Sequence, residues 1–356
     1  MSPAYRDVDP SKSSPVVDNL RRSMRERVIG QTEAIEAILR MYKKNLAGLN
    51  IPGKPLGSFL FLGPTGVGKS ELVKAFAEGI YGDSSKVLTI NCTELSEDHF
   101  ITKLIGSPPS YVGDAVEPIL SQENLDRGHT DKVKISIMVF EEFEKADYKI
   151  KKLLLQILEE AVLVTNKNRK TNFERAFIFM TSNIGLREID VSSQPGFKPA
   201  KITSDRERFE KTLLNVARRE FSPELVGRVN EKVIFKPLSL AELRLILEVQ
   251  INNLRRLILG QASTRQGFPQ FSLLITEEAK EYILGLGWNP KEGARQLRHV
   301  VGDILLADIS QLVITEQIQP NDTLLVNLDS SKLKYSIQAV GAFPEALFKN
   351  RRSVRS

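Results

Sequence analysis

Eight residues, Gly63-Pro-Thr-Gly-Val-Gly-Lys-Ser70, carry the most specific chemistry in this chain of 356 residues. They fit the pattern G-x-x-x-x-G-K-[ST]. Gly63, Gly66 and Gly68 let successive backbone N–H groups turn inward on phosphate oxygens, with Pro64, Thr65 and Val67 between them. A helix starting at the end of the loop adds its dipole. Lys69 is then placed to reach the β- and γ-phosphates of a nucleotide, and Ser70 to hold Mg²⁺. A plain glycine turn is the competing reading, and context opposes it. Phe59, Leu60, Phe61 and Leu62 directly before the loop read as a buried parallel strand. Leu72, Val73, Phe76, Ala77 and Ile80 after it share one helical face.

Two further strand ends supply polar groups. The apolar run ISIMVF (135–140) leads into Glu141 and Glu142. Carboxylates at the C-terminal end of a buried strand stand where open α/β sheets bind ligands. Glu141 would orient Mg²⁺ through water, and Glu142 would polarise the attacking water. A strand running into a charged helix start gives the same pattern, so this pair draws its weight from the phosphate loop. A third run, AFIFMTSN (176–183), ends in Asn183. That asparagine is either a turn former or a group that aligns the water beside the γ-phosphate.

These groups need a scaffold, and the apolar runs describe one. VLTINC (87–92) adds another strand, and helical stretches separate all four runs. Strands alternating with helices imply a parallel α/β sheet. Ahead of it, residues 1–17 are polar and proline-bearing and read as disordered. From about Val17, apolar residues keep helical spacing through Met41. The pattern changes near Pro237. A long amphipathic helix at 239–259 is followed by helices at 276–286 and 292–316, then a β-like segment, TLLVNLD, at 323–329. The expected units are therefore 18–236 and 237–330, with a strand remnant and basic tail over 331–356.

Composition narrows the function classes. No run of 18 apolar residues suggests a membrane span, and the first fifteen residues lack an apolar secretory stretch. One cysteine, Cys92, cannot close a disulfide within the chain, which fits a reducing, cytoplasmic setting. His99, His129 and His299 lie far apart and have no cysteine at metal spacing. The net charge of +6 hints at nucleic acid. However, residues 1–27 carry a net +2 and the last eight residues a net +4, so the remainder sums to zero. The neutral body disfavours a nucleic-acid partner.

The order of motifs resembles the AAA+ ATPases, and within them the second ATPase module of the Clp unfoldases ClpA, ClpB and ClpC. The motifs are VIGQTEAIEAI (28–38), GSFLFLGPTGVGKSEL (57–72), IGSPPSYVG (105–113), FEEFEKAD (140–147), LLLQILEEAVLV (153–164), MTSNIG (180–185), FSPELVGRVNEKVIF (221–235) and GARQLRHV (293–300). Together they cover about residues 20–330. The resemblance implies an α/β P-loop module with a five-stranded parallel sheet flanked by helices, followed by a small, mostly helical C-terminal subdomain. It also implies ATP and Mg²⁺ as cofactors, hydrolysis of ATP, assembly of identical subunits into a hexameric ring, and a protein substrate.

The resemblance carries roles onto matching positions. Lys69 and Ser70 match the Walker A pair, Glu141 and Glu142 the Walker B pair, and Asn183 the sensor-1 residue. Arg228 matches the arginine finger that reaches the nucleotide of a neighbouring subunit, and Arg295 the sensor-2 arginine. Tyr111, Val112 and Gly113 match the pore loop, whose flat aromatic ring grips extended polypeptide without sequence preference.

Three departures stand out. The first Walker B acid is Glu141 where aspartate is usual, which shifts its carboxylate by about 1.5 Å, one methylene. Mg²⁺ demands near-ideal geometry, so hydrolysis is expected to persist more slowly. The stretch ahead of residue 63 is too short for the family's N-terminal domain and first module, so substrate choice is expected to rest on residues 1–27 or on an adaptor protein. Residues 194–198 read QPGFK, with Pro195 replacing the aliphatic residue of the peptidase-docking tripeptide. Gly196 and Phe197 leave peptidase docking open, with an ordinary loop the favoured reading. The alternatives are a nucleotide-gated scaffold that barely hydrolyses ATP and an AAA+ nucleic-acid motor.

Overall fold

The computed structural model describes residues 8–9, 11–95, 100–106, 117–166, 168–184, 202–288 and 293–338. The chain divides into two compact units, Met1–Leu238 and Ser239–Ser356. The first unit opens with α1 (Pro15–Arg27), α2 (Thr32–Leu46), β1 (Gly57–Leu62), α3 (Lys69–Tyr81) and β2 (Leu88–Asn91). Two short helices, α4 (Phe100–Ile105) and α5 (Gln122–Asp126), precede β3 (Ser136–Glu141) and α6 (Tyr148–Glu160). Then come the hairpin β4 (Val162–Val164) and β5 (Lys170–Asn172), β6 (Ala176–Ser182), α7 (Ile202–Phe221), α8 (Pro223–Arg228) and β7 (Glu231–Ile234).

The expected five-stranded parallel sheet is present, in the order β2-β3-β6-β1-β7, with every neighbouring pair parallel. Side chains alternate across a strand, so each central strand feeds two cores. Phe59, Phe61, Phe177 and Phe179 join Phe76 on one face; Leu60, Leu62, Met138, Phe140, Ile178 and Met180 fill the other. Phe59 stands opposite Phe179 in register, and their rings stack 4.8 Å apart. Burial on both faces is why β1, β3 and β6 read as unbroken apolar runs. Because all five strands run the same way, the chain leaves β1, β2, β3 and β6 at one edge of the sheet. Cys92, just past β2, is buried and free, and burial pushes its thiol up to about 12.

One expectation at the start of the chain needs correction. α1 begins at Pro15 and buries Val17, so the end of the stretch read as disordered is the first helical turn. The helical spacing from Val17 to Met41 belongs to two helices, α1 and α2. Gly30, at φ 79°, breaks the path between them. The buried Gln31 side chain uses its amide there, donating to the Lys236 carbonyl at 3.0 Å and accepting from the Lys236 N–H at 3.2 Å.

The second unit contains α9 (Leu240–Thr264), β8 (Ser272–Ile275), α10 (Glu277–Gly287), α11 (Ala294–Val300), α12 (Ala307–Ile314), β9 (Thr323–Asp329) and β10 (Lys332–Gln338). Ser239 caps α9 in a reciprocal box with Glu242. The helix read over 292–316 contains a π-helical stretch, Val301–Leu306, between α11 and α12. β9 lies between β8, parallel to it, and β10, antiparallel to it. Residues 332–338 are thus a full strand of this sheet and not part of a tail.

Candidate nucleotide site

The phosphate loop leaves β1 and enters α3. Gly63, Gly66 and Gly68 take φ values of 147°, 74° and 102°, which side-chain-bearing residues avoid. Gly63 has no room for a side chain either. Phe235 donates its N–H to the Leu62 carbonyl at 2.7 Å, and a Cβ on Gly63 would lie 2.5 Å from the Phe235 carbonyl oxygen. Gly63→Ala is therefore expected to displace the loop. Labelled-nucleotide titration should show binding at least about tenfold weaker, and thermal denaturation a lower Tm.

Lys69 is 7% exposed. Its ammonium donates to the Gly63 and Pro64 carbonyls at 2.7 and 2.6 Å and to Asn183 Oδ1 at 2.9 Å. The structure thus brings Lys69 and Asn183 together across β1 and β6. Ser70 follows, half-buried in the first turn of α3, while Glu141 ends β3, opposite Asn91 of β2. Pro64 and Val67 are buried, and Thr65 is half-buried. The donor set fits a nucleotide with Mg²⁺. The glycines open the backbone to phosphate, and one hydroxyl with one carboxylate leaves Mg²⁺ positions for phosphate oxygens and water. Among the described residues, no cluster of three His, Cys, Asp or Glu gathers to hold a metal by itself.

Glu142 departs from the strand path. Its φ of 52° and ψ of 48° put a non-glycine residue in the left-handed region, a strain of order 1–3 kcal/mol of the kind that collects at working sites. Its Oε2 accepts a hydrogen bond from Thr93 Oγ1 at 3.1 Å. The turn after it, Phe143–Lys145, is closed by the Lys145 N–H donating to the Glu142 carbonyl at 2.8 Å. Phe143, fully buried, stacks on Phe221 at 5.2 Å and anchors that turn. Asn183 donates its N–H to Glu144 Oε1 at 3.1 Å.

Arg228 and Arg295 are the remaining candidates among the described residues. Arg228 is the last residue of α8, whose first turn is capped by the Ser222 hydroxyl accepting from the Leu225 N–H. The Arg228 side chain is 46% exposed and forms an ion pair with Glu159 near the end of α6. Arg295, in the second unit, is exposed on the second residue of α11. There a Cβ on Gly287 would lie 2.8 Å from the Leu297 Cα, so α10 and α11 pack too closely for a larger residue. Tyr111, Val112 and Gly113 lie outside the described residues, as do Pro195, Gly196, Phe197 and residues 339–356.

Several residues at the site were not singled out by their sequence. Val28 and Gln31 border the loop: a Cβ on Gly68 would lie 3.3 Å from Val28 Cγ1, and Gln31 Nε2 is 3.4 Å from the Val67 carbonyl. They belong to the VIGQ motif, which marked the place but not the contact. Glu144 likewise lies in the FEEFEKAD motif, which did not show its contact, and Thr93 had no signal of its own.

With this geometry in place, the likeness to known proteins is direct. The family profile described as AAA domain (Cdc48 subfamily) matches residues 54–232, and that described as the C-terminal, D2-small domain of ClpB protein matches residues 238–326. The chain belongs to the AAA+ ATPases, as a second module of the Clp type. It is 33% identical over 331 residues to the ATP-dependent Clp protease ATP-binding subunit ClpC of Staphylococcus epidermidis, covering 92% of this chain and 38% of that protein. It is 33% identical over 323 residues to the Staphylococcus aureus ClpC, covering 90% and 37%. The chain thus spans under two fifths of the length of these relatives. Among solved structures, the S. cerevisiae Hsp104:casein complex in its extended conformation superposes with a TM-score of 0.76 at 26% identity, covering 91% of this chain and 53% of that one. Among the described residues, no helix is long and apolar enough to cross a membrane.

Proposed function

We propose that this chain binds ATP with Mg²⁺ and hydrolyses it within a hexameric ring of identical subunits, using the cycle to remodel or thread protein chains. Residues 18–236 would act as the nucleotide-binding subdomain and 237–330 as the small subdomain. The observation that carries the reading is Lys69, buried in the phosphate loop and hydrogen-bonded to Asn183, with Glu142 at the same edge of the sheet. Bound ATP supplies the phosphoryl group and Mg²⁺ the counter-charge. Lys69 and the loop amides then hold the phosphates, Ser70 and Glu141 hold the metal, the latter through water, and Glu142 takes a proton from the attacking water. Asn183 orients that water, Arg228 stabilises charge on the neighbouring subunit's γ-phosphate, and Arg295 senses the nucleotide.

A protein substrate is supported by the match of Tyr111 to the family's pore loop and by the casein held in the superposed Hsp104 structure. Tyr111→Ala is the test. ATPase rate and ring assembly are expected to persist, while unfolding of a tagged fluorescent protein falls at least about tenfold. Unfolding at the wild-type rate would remove the threading reading. An adaptor supplying substrate choice belongs to the same proposal, and no peptidase is required by it.

Glu141 favours a second reading, a nucleotide-gated scaffold that turns over slowly. It carries one methylene more than the usual aspartate, and Mg²⁺ would tolerate little distortion of its ligand geometry. Glu141→Asp is expected to raise kcat several-fold, roughly 1 kcal/mol in barrier height, with ATP affinity unchanged. An unchanged kcat, measured by phosphate release, would remove the basis of the scaffold reading.

A further inference from the structure

We propose that Glu144 is a positioning residue of the ATP site: its carboxylate fixes the main chain at Asn183 and so sets where the Asn183 amide meets Lys69. This rests on the reading of Lys69 and Asn183 as parts of that site.

Asn183 lies just beyond the reach of the sheet. The β6 ladder ends at Phe140↔Met180 on one side and at Leu62↔Ser182 on the other. Past that point the Asn183 N–H donates to Glu144 Oε1 at 3.1 Å, while its side-chain Oδ1 accepts from Lys69 at 2.9 Å. Glu144 sits two residues after Glu142, in the turn that the buried Phe143 anchors against Phe221. One short turn therefore sets the direction of Glu142 and the height of Asn183 together.

The second carboxylate oxygen supports a positioning role. Oε2 is buried and has no hydrogen-bond partner among the described residues. Among the described residues, half of the carboxylate is thus buried without a hydrogen bond, an arrangement that a fold selected for stability alone would avoid. What the site uses is the acceptor facing Asn183, and a neutral oxygen in the same place would serve as well.

The test uses the full chain with Glu144→Ala, Glu144→Gln, Glu144→Asp and Asn183→Ala. It measures kcat and KM for ATP, binding of a labelled ATP, and Tm. Misplacing a catalytic neighbour by about 1 Å can cost roughly a hundredfold in rate. Glu144→Ala is expected to lower kcat at least about tenfold with KM within about threefold. Glu144→Gln, which keeps the acceptor, should stay within about threefold of wild type. Glu144→Asp, which keeps the charge but withdraws it by one methylene, should fall with the alanine variant. In the Asn183→Ala background, Glu144→Ala should add nothing further. A glutamine variant as slow as the alanine variant, or a folded alanine or aspartate variant at the wild-type kcat, overturns the proposal. Should Glu144→Ala not fold, the glutamine and aspartate variants decide by the same criteria. If Asn183→Ala alone leaves kcat intact, the reading of Asn183 fails first and the proposal falls with it.

Discussion

Glu142→Gln is expected to lower steady-state ATP turnover by roughly 10²–10⁴-fold, the usual worth of a positioned general base, while leaving ATP bound. The substitution keeps the size and the Thr93 contact of the side chain. Glu142 Oε2 accepts from Thr93 Oγ1 at 3.1 Å, and the amide oxygen of glutamine can accept the same bond. What is lost is the basic oxygen proposed to take a proton from water. The groups proposed to bind the nucleotide are elsewhere, in the glycine loop and in Lys69, which donates to the Gly63 and Pro64 carbonyls. The outcome should be a kcat defect without a matching rise in the dissociation constant for labelled ATP. Weakened binding and slowed turnover in equal measure would instead point to collapse of the loop.

Arg228→Ala should cost even more in turnover, roughly 10³–10⁵-fold if the arginine acts on a neighbouring subunit's nucleotide. Its cost to folding should be small. The Arg228–Glu159 pair is half in solvent, at 46% and 31% side-chain exposure, and such pairs are worth about 0–1 kcal/mol. That weak hold lets a phosphate compete for the guanidinium. Mixing supplies the sharpest check. Arg228→Ala subunits retain an intact Glu142, and Glu142→Gln subunits retain an intact Arg228. Each preparation should be nearly inactive alone, and mixed rings should recover turnover, because a finger from one subunit completes the site of the other. Mixed assembly without recovery, or a fully active Arg228→Ala protein, would contradict action between subunits.

The sequence spoke most clearly where burial is complete. β1, β3 and β6 are apolar on both faces, so no alternation disguises them, and the phosphate loop needs its glycines for backbone reasons that leave a fixed spacing. β7 was hidden because it is an edge strand. Glu231 and Lys232 keep contact with solvent, and only Val233 is buried, so its pairing with β1 is decided by the rest of the fold. The break at Gly30 was hidden by apolar residues that stay in helical phase on both sides of it. Within the site, the residue types were legible but their contacts were not. Lys69 and Asn183 are 114 positions apart, Thr93 and Glu142 are 49 apart, and Asn183 and Glu144 are 39 apart. Hydrogen bonds across such separations follow from sheet order, which no local pattern encodes.

The most direct test of the account is the steady-state ATPase rate of the purified chain across protein concentration, alone, with casein, and with single-stranded DNA. A ring that completes its sites between subunits and works on polypeptide predicts a specific activity that rises cooperatively with concentration, increases with casein and ignores DNA. A rate that stays near zero in every condition while labelled ATP still binds would contradict it, and so would a rate driven by DNA with the steep salt dependence of phosphate contacts.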